Sequence, residues 1–160
     1  MSGVAPAKPV NIHATGVVLA GIGVILRGPS GAGKSLLALS LLDRQALRGA
    51  PGFLVADDRL DLTVAGGRLH MTAPATIAGQ IELRGRGIVN RPFVATAPVD
   101  LVIDLVDQLE RMVEETALST DLLGVTLARC PVPRRGVIDP IHQLLLVDEA
   151  LHGPGLAGER

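Results

Sequence analysis

The stretch that decides the fold of this 160-residue chain is Gly28-Pro29-Ser30-Gly31-Ala32-Gly33-Lys34-Ser35, which fits the pattern G-x-x-x-x-G-K-[ST] at every fixed position. Glycines permit backbone angles and close approaches that a Cβ would forbid, so successive N–H groups can point at phosphate oxygens. Lys34 can reach the β- and γ-phosphates of a nucleotide, and the Ser35 hydroxyl can ligate Mg²⁺. The stretch therefore predicts that the chain binds ATP with Mg²⁺.

The segments on both sides of this loop favour a phosphate site over a glycine-rich structural turn. Residues 24–27 form a short apolar run that is typical of a buried strand. The Leu- and Ala-rich residues 36–47 predict a helix that ends near Gly49 and Pro51. This order of strand, loop and helix suits phosphate binding, because the helix N-terminus adds N–H groups that can face the phosphate.

The remaining chain predicts an α/β fold. Residues 10–20 are rich in β-branched and apolar residues, and a turn is expected at residues 21–23. Asp139 and Pro140 are a typical N-cap and first residue for a helix over residues 138–151. Further strands are predicted at residues 53–56, 99–106 and 124–128, with a hairpin at residues 60–71 that turns at Gly66-Gly67.

The length of the chain suits one domain. The sequence contains no internal repeat and no linker that would separate a second domain. We therefore expect a single domain over residues 1–160, with loose ends at about residues 1–9 and 153–160.

The composition excludes several classes of partner. The formal net charge is −1 and no basic run occurs, so no nucleic-acid partner is expected. No apolar stretch approaches the ~20 residues of a membrane span and no signal peptide is apparent, which predicts a cytoplasmic protein without a membrane partner. The single cysteine, Cys130, cannot form an internal disulfide and is expected to be a small buried residue.

Two adjacent carboxylates, Asp57 and Asp58, follow the predicted strand at residues 53–56. In α/β proteins, ligands bind at the carboxyl ends of the strands. One carboxylate could hold Mg²⁺ while the other takes a proton from an attacking hydroxyl. The alternative interpretation is a polar strand end that begins a turn at Asp-Asp-Arg.

His13 and residues 81–88 are further candidates. A single histidine in a predicted strand is more often a packed, hydrogen-bonded residue than a catalyst. In residues 81–88, the charged Glu82 and Arg84 stand close to glycines, and such a backbone can bend to aim side chains at a ligand. A plain surface hairpin is the alternative interpretation of that segment.

Together these landmarks resemble the HPr kinase/phosphorylase family, specifically its C-terminal catalytic domain. His13 precedes Gly28 by fifteen residues, as in that family. The other shared landmarks are Gly-Ile-Gly-Val-Ile-Leu at residues 21–26, Leu-Val-Ala-Asp-Asp at 54–58, Glu-Leu-Arg-Gly-Arg-Gly-Ile-Val at 82–89 and an altered Pro-Val-x-Pro segment at 131–135. The resemblance covers residues 11–151. It implies an α/β phosphate-loop fold related to phosphoenolpyruvate carboxykinase, with a mixed sheet and flanking helices.

The resemblance also implies roles for individual residues. Lys34 and Ser35 would hold the phosphates and Mg²⁺, with Glu82 and Asp57 as carboxylates at the metal. Asp58, or alternatively Asp57, would be the base that deprotonates an acceptor serine. His13 would assist its proton transfer and Arg111 would help kinase action, while residues 131–135 would correspond to a loop tied to dephosphorylation.

The partners follow from the same resemblance. The implied protein substrate is the phosphocarrier HPr or a related protein of the phosphotransferase system. In this family the base also works in reverse as an acid, so that inorganic phosphate attacks the phosphoserine and pyrophosphate forms. Full-length members assemble as hexamers, which makes a homo-oligomer the implied assembly.

The chain departs from the family pattern at several positions. It begins close to the catalytic domain and so resembles short forms of the family. Ala14-Thr15 follow His13, Leu36 replaces an acidic residue after the loop, and residues 47–52 form a longer connection than usual. The imperfect Pro-Val-Pro-Arg-Arg-Gly segment weakens the expectation of the reverse reaction more than that of kinase action.

Two other functions fit the residues. A small-molecule kinase of the ordinary phosphate-loop kind needs arginines in a lid, and Arg84, Arg86 and Arg91 cluster in the sequence. A nucleotide-binding regulator without catalysis would bind ATP but transfer no phosphate. The tandem Asp57-Asp58 together with His13 favours a base directed at serine over a small-molecule kinase.

Overall fold

The computed structural model describes residues 8–153 and residue 156, so the predicted loose ends lie mostly outside the described residues. Twelve strands and two α-helices occur in that part of the chain, with short 3₁₀ turns at Ala75–Ile77 and Glu115–Leu118. The elements are β1 (Val10–Ile12), β2 (Thr15–Leu19), β3 (Ile22–Arg27), α1 (Lys34–Leu47), β4 (Gly52–Ala56), β5 (Leu60–Ala65), β6 (Arg68–Thr72), β7 (Gln80–Leu83), β8 (Gly87–Asn90), β9 (Thr96–Pro98), β10 (Leu101–Val106), β11 (Ser119–Leu122), β12 (Val125–Pro133) and α2 (Pro140–Leu151).

The central sheet is mixed and has the strand order β11-β12-β10-β3-β2-β4. Strands β12, β10 and β3 run parallel, whereas β2 runs antiparallel to both β3 and β4. Consequently β3 and β4 point the same way and end at the same edge of the sheet. A second, antiparallel sheet has the order β1-β5-β6-β9, and β7 pairs with β8 in a hairpin. The predicted α/β class, a mixed sheet with flanking helices, is confirmed.

Each face of the central sheet is covered by a different layer, and β3 shows this alternation most clearly. Val24 and Leu26 belong to a core cluster with residues of α1 and α2, while Ile25 between them belongs to a cluster with residues of β5 and β6. Because both faces are covered, β3 must be apolar on both sides. This explains the uninterrupted Val-Ile-Leu run that precedes the glycine-rich loop.

The turn before β3 lies one residue earlier than predicted. Ala20 and Gly21 form it, with φ values of 51° and 81°, and Ile22 already belongs to β3. Gly23, which was expected in the turn, is instead inside the strand. A Cβ at Gly23 would lie 1.8 Å from the Pro98 carbonyl oxygen, so the glycine there serves close packing against the backbone rather than the turn.

The prediction that the strand at residues 124–128 ends before the prolines was wrong, since β12 continues through Pro131 and Pro133. β11 pairs with β12 only as far as Ala128, so beyond it β12 is an edge strand. The Arg134 N–H donates to the Val106 carbonyl of the β10 side. Residues at 131 and 133 alternate with 134 and therefore direct their ring nitrogens to the unpaired edge, where proline is tolerated.

Most other elements agree with the predictions to within two residues. Helix α1 begins at Lys34, and α2 begins at Pro140, where the Asp139 side chain accepts a hydrogen bond of 2.8 Å from the Ile141 N–H. The hairpin at residues 60–71 turns at Gly66-Gly67 as expected. Strands β9 and β11 were not predicted. No helix among the described residues is long and apolar enough to cross a membrane.

Cys130 lies buried in the core on β12, as expected for the single cysteine of the chain. Its Sγ is 3.6 Å from the Leu146 carbonyl oxygen of α2. Burial raises the pKa of the thiol to about 11, so at neutral pH it behaves as a small apolar side chain.

Candidate active site

The glycine-rich loop leaves β3 at Gly28 and enters α1 at Lys34. Two of its glycines have left-handed backbone angles, with φ of +82° at Gly31 and +95° at Gly33. A Cβ at Gly28 would lie 3.0 Å from the Leu105 Cβ, which is tighter than ordinary packing. The loop therefore needs glycine for conformation at two positions and for space at a third, and it leaves an open cradle at the start of α1.

Lys34 is held by the loop itself. Its side chain is almost fully buried, with 6% exposure, and its ammonium group donates to the carbonyl oxygens of Gly28 (2.7 Å) and Pro29 (3.2 Å). These two bonds keep the ammonium over the cradle. A phosphate group there would add a third acceptor to a donor that already has a fixed position.

Asp57 follows β4 directly and lies against the first turn of α1. Its Oδ1 accepts hydrogen bonds from the Ser35 hydroxyl at 2.7 Å and from the Thr15 hydroxyl at 3.0 Å, and its Oδ2 lies 3.4 Å from the Glu82 amide nitrogen. The carboxylate thus joins four segments of the chain: α1, β2, β7 and the end of β4. This arrangement holds the two groups that were predicted to meet Mg²⁺, Ser35 and Asp57, in direct contact.

Asp58 adopts an unusual backbone conformation, with φ of 70°. Its N–H donates to the Thr15 hydroxyl oxygen at 3.1 Å, which helps to hold this strained geometry. The turn directs the Asp58 carboxylate to His13, whose Nε2 lies 3.0 Å from Asp58 Oδ1. Both side chains remain about half exposed, at 50% for His13 and 57% for Asp58, so the pair is accessible from the solvent.

His13 was expected inside a strand, and this was wrong. It lies between β1 and β2, where the chain leaves one sheet and enters the other. Thr15, two residues later, was not identified from the sequence as a site residue. The available signal was a hydroxyl in an otherwise apolar strand. Its side chain has 0% exposure, and its hydroxyl connects Asp57 to the backbone of Asp58.

A cavity of about 270 Å³ brings most of the predicted site residues together. It is lined by Ser30, Gly31, Gly33, Lys34, Ser35, Leu36, Asp57, Asp58, Glu82, Leu83, Arg84 and Arg135. Glu82 is therefore in the same cavity as Asp57, although residues 80–90 also form the simple hairpin that was the alternative interpretation. Arg135, at the end of the altered proline segment, also reaches the cavity.

Arg111 is the one predicted site residue that the structure leaves apart. It lies in the exposed connection between β10 and the 3₁₀ turn Glu115–Leu118. None of residues 107–114 lines the cavity described above.

The residues present fit a magnesium ion held jointly with a nucleotide. Among residues 8–153 and 156, no group of three or more His, Cys, Asp or Glu side chains has the spacing of a complete metal site. Mg²⁺ at phosphates needs only one or two protein carboxylates, since phosphate oxygens and waters complete its octahedron. Asp57, Glu82 and the Ser35 hydroxyl provide oxygen donors of that kind beside the cradle.

An ion cluster stabilises the strand ends behind the loop. Arg27, the last residue of β3, donates two hydrogen bonds to Asp104 of β10 at 2.8 and 2.9 Å, and Arg129 of β12 donates a third at 2.6 Å. Burial alone would raise the pKa of Asp104, but the hydrogen bonds and charges of the two arginines outweigh it and hold the pKa below its ordinary value. The cluster anchors the residue immediately before Gly28.

Comparison with known proteins shows the family of the chain. The family model described as HPr Serine kinase C-terminal domain matches residues 5–135. The HPr kinase/phosphorylase of Clostridium kluyveri is 38% identical over 152 residues, which cover 90% of this chain and 47% of that protein. The HPr kinase/phosphorylase of Clostridium tetani is 29% identical over 140 residues, covering 81% of this chain and 44% of the relative. The chain thus spans about half the length of these curated relatives.

A solved structure gives the same result for the fold. The Hpr(Ser) kinase/phosphatase from Coxiella burnetii superimposes with a TM-score of 0.71 at 26% identity, covering 89% of this chain and 95% of that chain. The family model extends from before β1 to the turn that carries Arg135, and so includes every residue around the cavity. The chain belongs to the HPr Serine kinase C-terminal domain family.

Proposed function

We propose that this chain is an ATP- and Mg²⁺-dependent protein serine kinase whose substrate is HPr or a related phosphocarrier of the phosphotransferase system. The names of its relatives support this class of activity and substrate. The observation that carries the proposal is the contact of His13 with Asp58 at 3.0 Å, in which Asp58 lines the same cavity as Lys34 and Ser35. The proposed base, Asp58, is therefore next to the residues proposed to bind the phosphates, Lys34 and Ser35.

The transfer step follows from the positions of these groups. The acceptor serine enters at the exposed Asp58 carboxylate, which takes the hydroxyl proton as the serine oxygen forms its bond to the γ-phosphorus. The bond between that phosphorus and the bridging oxygen breaks, and ADP leaves with the electron pair. Lys34 and the loop N–H groups hold the phosphate chain in place during the transfer. Bound Mg²⁺ would supply charge neutralisation at the phosphate oxygens, held by Ser35, Asp57 and Glu82.

His13 has a positioning role in this scheme. It hydrogen-bonds one oxygen of Asp58, which leaves the other oxygen for the acceptor hydroxyl. Because Asp58 is held in a strained turn and its carboxylate is tied to His13, its rotational freedom before the reaction is reduced. A base that is already oriented loses less entropy when the substrate arrives.

We also propose that the reverse reaction uses the same cavity. Inorganic phosphate would attack the phosphorus of the phosphoserine, the bond between that phosphorus and the serine oxygen would break, and pyrophosphate would form. Asp58 in its protonated form would give its proton to the departing serine oxygen. The open cradle at the start of α1 suits inorganic phosphate as well as a nucleotide, because the loop N–H groups bind phosphate oxygens in either case.

A transfer assay with labelled ATP, Mg²⁺ and an HPr-type phosphocarrier tests the proposal. We expect label on a serine with the wild type, and a loss of about 10²–10⁴-fold in rate for Asp58→Asn, the range typical for removal of a general base. Asp61→Asn is the matched control, since Asp61 lies on β5 and pairs with Asn11. The same variants incubated with phosphoserine-carrier and phosphate test the reverse reaction by pyrophosphate release.

Three results would contradict the proposal. Undiminished transfer by Asp58→Asn would exclude Asp58 as the base. Phosphate transfer to a small metabolite, with none to the protein carrier, would indicate a small-molecule kinase instead. ATP binding without any phosphate transfer to a panel of phosphocarriers would indicate a regulator that binds the nucleotide but does not catalyse transfer.

A further inference from the structure

Two separate turns place arginines in the wall of the nucleotide cavity, and the turns are built alike. The first is Leu83-Arg84-Gly85-Arg86, closed by a hydrogen bond of 2.9 Å from the Arg86 N–H to the Leu83 carbonyl. The second is Arg134-Arg135-Gly136-Val137, closed by a bond of 3.0 Å from the Val137 N–H to the Arg134 carbonyl. In each turn the arginine that lines the cavity occupies the second position and a glycine the third.

The glycines give both turns their shape. Gly85 has φ of +93° and Gly136 has φ of +92°. A positive φ at the third position is the requirement of a type II turn, and glycine meets it without strain. In each turn the glycine therefore permits the type II conformation, and this conformation places the arginine before it at the tip of the turn.

The two turns are anchored on rigid parts of the domain. β7 leads into the first turn from Ile81, which has 1% exposure in the main core, and Arg91 beyond β8 donates to Asp43 of α1 at 3.0 Å. The second turn follows β12 directly, and on that side the backbone N–H of Arg134 donates to the Val106 carbonyl oxygen at 2.8 Å. On its other side, α2 begins with Asp139 as its N-cap. The tips are thus fixed relative to the phosphate loop.

Within the part of the chain that the structure describes, no ion pair or side-chain hydrogen bond involves Arg84 or Arg135, although each is exposed and lines the same cavity as three carboxylates. Arg135 lies along the loop itself, with its Cβ 3.5 Å from the position of a Cβ on Gly33. Their donors are therefore available to a ligand in the cavity.

We propose that Arg84 and Arg135 form a two-arginine clamp on the β,γ-phosphates of the bound nucleotide. Lys34 already uses two carbonyl acceptors and offers a single point charge, whereas each guanidinium offers a planar set of donors that matches phosphate oxygens. The two arginines would also offset the negative charge in the cavity. Asp57, Asp58 and Glu82 line it, and their carboxylates would repel the phosphate groups of a nucleotide. The proposal rests on the nucleotide binding proposed above, and assigns it two further residues.

Each turn supplies its own control. Arg86 is at the fourth position of the first turn and Arg134 at the first position of the second, and neither lines the cavity. Replacing a control arginine changes the net charge of the same turn as much as replacing a clamp arginine does. Any general electrostatic effect on nucleotide binding is therefore shared by all four alanine variants.

The test measures the dissociation constant of Mg²⁺·ATP by calorimetry for the wild type and for Arg84→Ala, Arg135→Ala, Arg86→Ala and Arg134→Ala. We expect each clamp variant to bind about tenfold or more weakly, the loss typical of one charge-assisted hydrogen bond. The controls should stay within about twofold, and Arg135→Lys should recover only part of the loss, since lysine cannot form the bidentate contact. Thermal unfolding of each variant confirms that it is folded.

Equal binding by the clamp variants and the wild type would overturn the clamp, and so would an equal loss in all four alanine variants. The assay contains no protein acceptor, so its result is independent of the serine kinase proposal. If the wild type binds Mg²⁺·ATP but phosphorylates no serine, the proposed kinase function is contradicted, whereas the proposed clamp is not.

Discussion

His13 Nε2 lies 3.0 Å from Asp58 Oδ1, although the two residues follow strands that belong to different sheets. His13 comes directly after β1, which belongs to the four-stranded sheet, and Asp58 lies just beyond β4, the edge strand of the central sheet. The contact therefore depends on how the two sheets are joined. It also places a hydrogen-bonding group directly on the proposed base.

Replacing His13 by alanine should lower the rate of serine transfer by about 10-fold to 100-fold, because the carboxylate of Asp58 loses a charge-assisted hydrogen bond. Binding of ATP should be unaffected, since His13 does not line the cavity. His13→Gln retains a donor and should restore part of the rate. His70→Ala on β6 is the control, and a loss as large in that variant would contradict a specific role for His13.

Lys34→Ala should lower the rate of phosphate transfer by roughly 10²–10³-fold, because removal of one preorganised electrostatic contact typically has that effect. A steady-state assay with labelled ATP measures it. Lys8→Ala is the control, because it removes an exposed lysine before β1 and gives the same net charge as Lys34→Ala. A turnover rate close to that of the wild type in Lys34→Ala would show that the glycine-rich loop takes no part in phosphate transfer.

Asp57→Asn should raise the Mg²⁺ concentration required for half-maximal transfer by roughly 10–100-fold, the effect typical of losing a group that orients a metal ligand. Asp57 accepts the Ser35 hydroxyl at 2.7 Å, so both proposed oxygen donors are disturbed together. A Mg²⁺ titration of the kinase reaction gives the value. An unchanged requirement, with a normal response in Asp61→Asn, would exclude Asp57 from the metal site.

Asp104→Asn should destabilise the protein by roughly 3 kcal/mol at pH 7, because Arg27 and Arg129 lose their shared carboxylate in a site where Asp104 has only 16% side-chain exposure. Urea unfolding followed by circular dichroism measures this loss. Asp107→Asn, which breaks the exposed pair with Arg134, should cost no more than about 1 kcal/mol.

The same carboxylate makes a pH-dependent contribution with a definite sign. The pKa of Asp104 is lowered in the folded protein, so the unfolded state binds the proton more readily. The contribution is fully present above the unfolded pKa, near 3.8, and disappears as the pH falls through the lower folded value. Below pH 3.8 the wild type should therefore approach the stability of Asp104→Asn. A constant difference between them across this range would contradict the assignment.

The sequence alone was sufficient for those features that depend on neighbouring residues. The glycine and lysine spacing at residues 28–35, the apolar run before it and the leucine-rich helix after it are local patterns, and each appears where it was predicted. The cap at Asp139 and the turn at Gly66-Gly67 are local for the same reason, since a side chain or a positive φ acts within a few residues.

Patterns failed where distant parts of the chain determine the outcome. Gly23 looked like a turn residue, but the Pro98 carbonyl against it decides that it lies in a strand. The prolines at 131 and 133 looked like a strand end, but β12 has an unpaired edge there that no local pattern reveals. A strand's neighbours determine which of its N–H groups need partners.

The sequence by itself thus determined the glycine-rich loop, the α/β class and the residue types of the candidate site. Only the tertiary structure decided their grouping: it joins Thr15 to Asp57, brings Arg84 and Arg135 to the cavity and leaves Arg111 outside it. The physical reason is range. Backbone conformation follows from interactions over a few residues, whereas a site is assembled by the packing of sheets and helices whose contacts are far apart in the chain.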